Sequence, residues 1–147
     1  MKKLTRENLI SVCEDSYKNC VGVFCLTNFK SKDVFLITED KKDKIGDDYC
    51  SCLISLREGD SKEDFIESVR KYVYPFDNIR VHDKIHIAIY DCFEFDGIVE
   101  DVSDSTISVR ILDEESICMC YGDGSHSMKT GEIYSFESYE VAEVKVI

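Results

Sequence analysis

The sequence predicts an α+β protein. A small α-β-β-β-α unit over residues 1–76 is followed by a small antiparallel β-barrel over residues 77–147. Three observations carry this reading. Two segments near the ends of the first half repeat their apolar residues at helical intervals. The second half is built of short runs in which apolar and polar residues alternate, separated by turn residues. The charge also divides: residues 1–75 carry 13 Lys+Arg and 14 Asp+Glu, whereas residues 76–147 carry 5 and 16, nearly all of the net −12.

The first helix opens at Thr5, with Leu4 and Leu9 at hydrophobic-staple spacing. Leu9, Val12, Cys13, Ser16 and Tyr17 then share a face. Residues 20–26 (CVGVFCL), 34–38 (VFLIT) and 49–56 (YCSCLISL) are three β-prone runs, the last two separated by a charged loop. Ser61 and Asp64 stand at capping-box spacing before the stripe Phe65, Ile66, Val69, Tyr72, Val73, and Pro75 ends that second helix.

In the second half Ile85, Ile87 and Ile89 alternate with Lys84, His86 and Ala88. Phe93 and Phe95 alternate with Glu94 and Asp96, and Gly97 marks a bulge or bend after which the apolar phase passes to Ile98 and Val102. Ser103–Ser105 is a turn, and Ile107, Val109 and Ile111 form another strand. Asp113-Glu114-Glu115 is predicted as an acidic turn before a strand over 117–121. Residues 122–131 form a polar loop, and 134–147 give one broken strand or two short ones.

The runs VHDKIHIAI, FDGIVEDVSDSTISVRI and FESYEVAEVKVI resemble an SH3-like or Sm-like small β-barrel, covering about residues 80–147. This copy departs from nucleic-acid-binding barrels, because its hairpin presents Glu94, Asp96, Glu100, Asp101 and Asp104 where those present Lys and Arg. Direct nucleic-acid binding is therefore not carried over from the resemblance. The whole chain resembles small acidic phage proteins that block host defence nucleases, anti-CRISPR inhibitors among them. That resemblance implies an inhibitor of a nucleic-acid-handling enzyme.

No motif identifies a reaction, a metal or a cofactor. Cys50-Ser51-Cys52 and Cys118-Met119-Cys120 each set two thiols on one strand face, but zinc sites favour a turn between paired cysteines. Both pairs read as apolar core. His82 and His86, four apart on a strand, read as solvent-facing, and His126 sits in the polar loop. Gly122-Asp123-Gly124 lacks the rest of a phosphate-binding pattern.

The acidic set is the candidate site: Glu94, Asp96, Glu100, Asp101, Asp104, Asp113, Glu114 and Glu115. Residues 91–108 and 111–128 contain no Lys or Arg, whereas a merely solvated surface mixes signs. The expected protein is a non-enzymatic, cytoplasmic binding module that needs no cofactor. Its partner is a basic protein surface, with no membrane and no direct nucleic acid. The alternative is a small-ligand or nucleotide-binding protein whose pocket is lined by Tyr90, Tyr121, Tyr134, Phe136 and Tyr139. Reduced thiols fit the eight cysteines and the absence of an apolar leader.

Overall fold

The computed structural model describes residues 2–18, 22–38, 46–56, 59–90, 92–119 and 128–147. The chain is of mixed α+β class and divides into two compact units, Met1–Val73 and Tyr74–Ile147.

The first unit carries β1 (Lys2–Lys3), α1 (Leu9–Tyr17), β2 (Gly22–Asn28), β3 (Val34–Thr38), β4 (Tyr49–Ser55) and α2 (Lys62–Val73). Its antiparallel sheet has the order β1-β3-β2-β4. The two-residue β1 has no periodicity to betray it. It is fixed by its pairing to Phe35 and Leu36 and by an ion pair of Lys3 with Asp33 at 3.0 Å. That lysine holds the Asp33 carboxyl below its ordinary range. At the first helix, Thr5 and Asn8 exchange capping hydrogen bonds of 2.8 and 3.2 Å, and regular helix begins at Leu9. Ser61 caps α2 by accepting from the Asp64 amide at 3.1 Å, as its spacing predicts. Phe65, Ile66, Val69 and Val73 are the buried stripe of α2.

Register assigns the two faces of this sheet. Cys25 pairs with Cys52, Thr27 with Cys50 and Val23 with Ile54, so these six side chains share one face. Cys13 of α1 lies close enough to Cys25 to perturb its thiol, and Tyr72 of α2 stands beside Cys50 and Cys52. Both helices therefore cover that face.

The second unit carries β5 (Lys84–Ile89), β6 (Phe93–Val102), β7 (Thr106–Met119), β8 (Ile133–Glu137) and β9 (Val141–Val146) in an antiparallel sheet of order β8-β7-β6-β5-β9. A 3-10 turn, Ser138–Glu140, separates β8 from β9. Among the described residues β8 and β9 are the edges and do not pair, so no closed barrel is present. The sheet nonetheless curls over its apolar face. Phe136 of β8 comes within 6.0 Å of Phe93 and 6.2 Å of Phe95 on β6, across the intervening β7. Ile85, Ile87, Phe95, Val99 and Val109 line that face with essentially no exposure. Each such side chain contributes roughly 1.5–3 kcal/mol by leaving water.

Two sequence expectations fail in β6 and β7. The apolar phase of β6 does not pass to Ile98: Phe95, Gly97 and Val99 continue on the inner face, and Ile98 is half-buried on the outer one. The acidic run Asp113–Glu115 is not a turn between two strands but lies inside the single strand β7. Its turn chemistry survives as a bulge. Asp96 pairs with Asp113 and Glu94 with Cys118, so residues 114–117 stand opposite Phe95 alone. The Asp113 carboxylate accepts from the Glu115 amide at 2.9 Å. The Ser116 hydroxyl fills the broken ladder, accepting from the Asp96 amide at 2.9 Å and donating to the Asp113 carbonyl at 2.6 Å.

Gly97 does mark a bulge, and the reason is space. A β-carbon there would lie 2.6 Å from the carbonyl oxygen of Arg110 and against the side chain of the fully buried Val109. Gly97→Ala is expected to destabilise the second unit by about 2–3 kcal/mol through overpacking. Native-state hydrogen exchange at the Val99 and Val109 amides checks this, and unchanged protection would contradict the close approach.

Candidate acidic site on the second unit

The outer face of the second sheet collects the candidate residues by register. In one row Lys145, His86, Asp96 and Asp113 lie opposite one another across β9, β5, β6 and β7. In the next row stand Glu143, Ala88, Glu94 and Cys118. Glu114 and Glu115 project from the bulge beside them and are exposed. Glu114 also accepts from the Thr130 backbone amide at 2.8 Å, which ties the bulge to the segment entering β8.

Five of the eight candidates therefore gather at one end of the β6–β7 pair: Glu94, Asp96, Asp113, Glu114 and Glu115. Among the described residues none of these five forms an ion pair with Lys or Arg. The other three lie elsewhere. At about 3.3 Å per residue, Glu100 and Asp101 sit roughly 20 Å along β6 from Glu94. Asp104 lies in the bend joining β6 to β7. Glu100 is in addition taken up by Arg110 as an ion pair.

The basic side chain in contact with the gathered carboxylates is His86, half-buried rather than simply solvent-facing as its strand position predicts. Its Nδ1 lies 2.6 Å from Asp96 Oδ1 and its Nε2 lies 3.2 Å from Glu94 Oε2. Asp96 is directly opposite His86 and Glu94 is its diagonal neighbour, the two positions from which cross-strand side chains meet. The hydrogen bond to Asp96, with a further one to Glu94, raises the imidazole above its ordinary value of 6.5, and partial burial only opposes this. His82 does not share the strand. It lies in the turn before β5 with φ +77, exposed, its amide bonded to the Val99 carbonyl.

The cysteines separate by unit. Burial pushes the Cys13 thiol up to about 11, an effect Arg70 only partly offsets, and pushes Cys25 well above its usual range. Such thiols are protonated and inert at neutral pH. Cys50 and Cys52 are half-buried under α2, whose Tyr72 phenol is itself pushed up by burial. Cys118 is exposed, against the expectation of core packing, because it follows the bulge, and Cys92 is exposed too. Cys20, Cys120, Tyr121 and His126 lie outside the described residues. Among the described residues no group of three His, Cys, Asp or Glu is arranged to hold a metal. At His86 the cause is visible: both ring nitrogens already face carboxylates.

The aromatic residues considered for a ligand pocket are placed as follows. Phe136 is in the core, Tyr134 packs against it, and the Tyr134 hydroxyl donates to Glu132 at 2.7 Å. Tyr90 is exposed, and Tyr139 is half-buried in the 3-10 turn.

Comparison with known proteins adds no relative. No family model matches this chain, and no curated protein or solved structure matches it significantly. No helix among the described residues is long and apolar enough to cross a membrane.

Two outcomes follow from this geometry. A histidine whose folded pKa is raised adds stability that is complete below its unfolded value, about 6.5, and is lost as pH rises through the folded value. The second unit is thus expected to lose stability on going from pH 6 toward alkaline pH, and His86→Gln to flatten that loss. Amide exchange in β5 and β6, corrected for intrinsic rates, measures it. Under native conditions Cys92 and Cys118 are expected to alkylate at least tenfold faster than Cys13 and Cys25, as read by peptide mass spectrometry.

Proposed function

We propose that this protein is a non-enzymatic binding module whose second unit engages a basic protein surface through its acidic outer face. The observation that carries this is the gathering of Glu94, Asp96, Asp113, Glu114 and Glu115 at one end of the β6–β7 pair, with no Lys or Arg paired to them among the described residues. Asp96 and Asp113 stand directly opposite each other, an arrangement that costs folding stability. A cationic partner would turn that cost into attraction and accelerate encounter.

The partner class is a protein with clustered Lys and Arg, such as a nucleic-acid-handling enzyme, and the activity is occupancy of that basic surface. The anti-defence inhibitor expected from the sequence resemblance is one instance of it. The SH3-like resemblance of the second unit belongs to the same proposal. It is supported by the long irregular β6–β7 hairpin with Gly97 at its bulge and by the short strand–turn–strand of β8 and β9.

Charge reversal tests the reading. A double variant Glu94→Lys, Glu115→Lys leaves in place Asp96, its tie to His86 and the Asp113 hydrogen bond of the bulge. It is expected to lose binding to a decalysine peptide and to any partner captured by the wild type. Wild-type affinity is expected to fall roughly tenfold or more between about 50 and 500 mM salt. Retention of the same partner by the reversed variant, or affinity indifferent to salt, removes the acidic face as the binding surface.

A further inference from the structure

The contact of His86 with two carboxylates has a chemical requirement. An ionised carboxylate only accepts hydrogen bonds, so a ring nitrogen that bonds to one must carry a proton. Both nitrogens of His86 are so placed, at 2.6 Å from Asp96 and 3.2 Å from Glu94. The arrangement is therefore that of the imidazolium. A neutral ring keeps only one N–H, and its other nitrogen would turn a lone pair toward a carboxylate. The two contacts are unequal. Asp96 makes the shorter bond and its side chain is 28% exposed, against 41% for Glu94.

We propose that His86 is a proton-operated latch on the acidic face. Charged, it clamps both Asp96 and Glu94; neutral, it keeps Asp96 and releases Glu94 to solvent or to a cationic partner. Loss of the proton makes the gathered end of the β6–β7 pair one unit more negative and frees the Glu94 carboxylate. The part of this that concerns a partner rests on the function proposed above, whereas the latch itself does not.

Every element packed around His86 supplies a charged group to weigh. On β5, Lys84 lies two residues back on the same face. On β6 are Glu94 and Asp96, and on β7 Asp113 stands behind Asp96. On β9, Lys145 lies opposite His86 and Glu143 opposite Ala88. Lys84 and Lys145 disfavour the proton, but both are exposed and form no ion pair with this cluster, whereas the carboxylates are in hydrogen-bond contact. Contact in a partly desolvated site outweighs screened charges at greater distance, so the proton is held. His86, unlike Lys or Arg in an ion pair, can surrender that charge as pH rises within the range a histidine titrates.

The test is an NMR titration of the histidine Cε1–H signals, with the His86 resonance assigned by its loss in His86→Gln. Its midpoint is expected above 6.5, to fall in Glu94→Gln, and to fall further in Asp96→Asn. A midpoint at or below 6.5 in the wild type, or one that neither variant moves, overturns the latch. Spectral dispersion shows whether Asp96→Asn remains folded, and Glu94→Gln, whose side chain is the more exposed, serves if it does not. The second arm measures affinity for decalysine at fixed ionic strength across the same pH range. Affinity is expected to rise severalfold through the His86 midpoint in the wild type and to stay level in His86→Gln. If the midpoint shifts as expected while decalysine binds equally well at every pH, the latch stands and its coupling to a cationic partner is overturned.

Discussion

The close approach of β7 to Gly97 is the constraint on which the second unit turns. With no β-carbon, Gly97 admits the Arg110 carbonyl and Val109 to distances that any other residue forbids. At that point the ladder slips by one residue, from Gly97 opposite Ile111 to Asp96 opposite Asp113. The slip has a consequence for every side chain beyond it, because a strand alternates faces with period two. Val109 and Ile111 face the core; without the slip Asp113 would follow them inward. With it, Leu112 and Asp113 both lie outward and exposed. The outward placement of Asp113 thus follows from a steric fact about one glycine, while the bulge that carries Glu114 and Glu115 is held by the Asp113 carboxylate and the Ser116 hydroxyl.

The inner and outer faces of this sheet then divide the work. The inner face is continuous hydrocarbon and ring, from Ile85 and Ile87 through Phe95 and Val99 to Phe136, and supplies the stabilisation. The outer face contributes little by way of burial and is free to carry an unfavourable charge pattern. The first unit solves the same problem differently, by laying α1 and α2 over the Val23, Cys25 and Thr27 face of its sheet.

What was legible in the sequence is what repeats locally. The alternation of Ile85, Ile87 and Ile89 gave β5, the Ser61 cap and the Phe65–Val73 stripe gave α2, and the turn-forming acids at Asp113–Glu115 pointed to irregular backbone. What escaped depends on register. A bulge within one long strand and a turn between two short ones use the same residues, since both need Asp113 to bond its own downstream amide. His86 read as a solvent-facing residue because its partners lie eight and ten positions away, and only the β5–β6 pairing brings them to it. The signal the sequence does hold is a histidine and two acids at alternate positions on adjacent strands, which become cross-strand neighbours when the register sets His86 opposite Asp96. β1 offered no such signal, being two lysines whose strand character comes entirely from β3.

The charge pattern itself calls for a cause. Carboxylates placed directly opposite on neighbouring strands, as Asp96 and Asp113 are, destabilise the pairing. Asp113 is kept there in part by the bulge, where its carboxylate accepts from the Glu115 amide at 2.9 Å. The chain is not short of cations, since it has 18 Lys and Arg, yet most of them lie in the first unit. Arg110 shows that the second sheet accommodates a neutralising cation where one is present, for it is paired to Glu100 farther along the same two strands. The second sheet therefore accommodates a paired cation, yet among the described residues the five gathered carboxylates have no Lys or Arg ion pair and two of them contact His86 instead. Such a pattern is unfavourable within the isolated sheet, and the cationic partner proposed above is what would make it favourable.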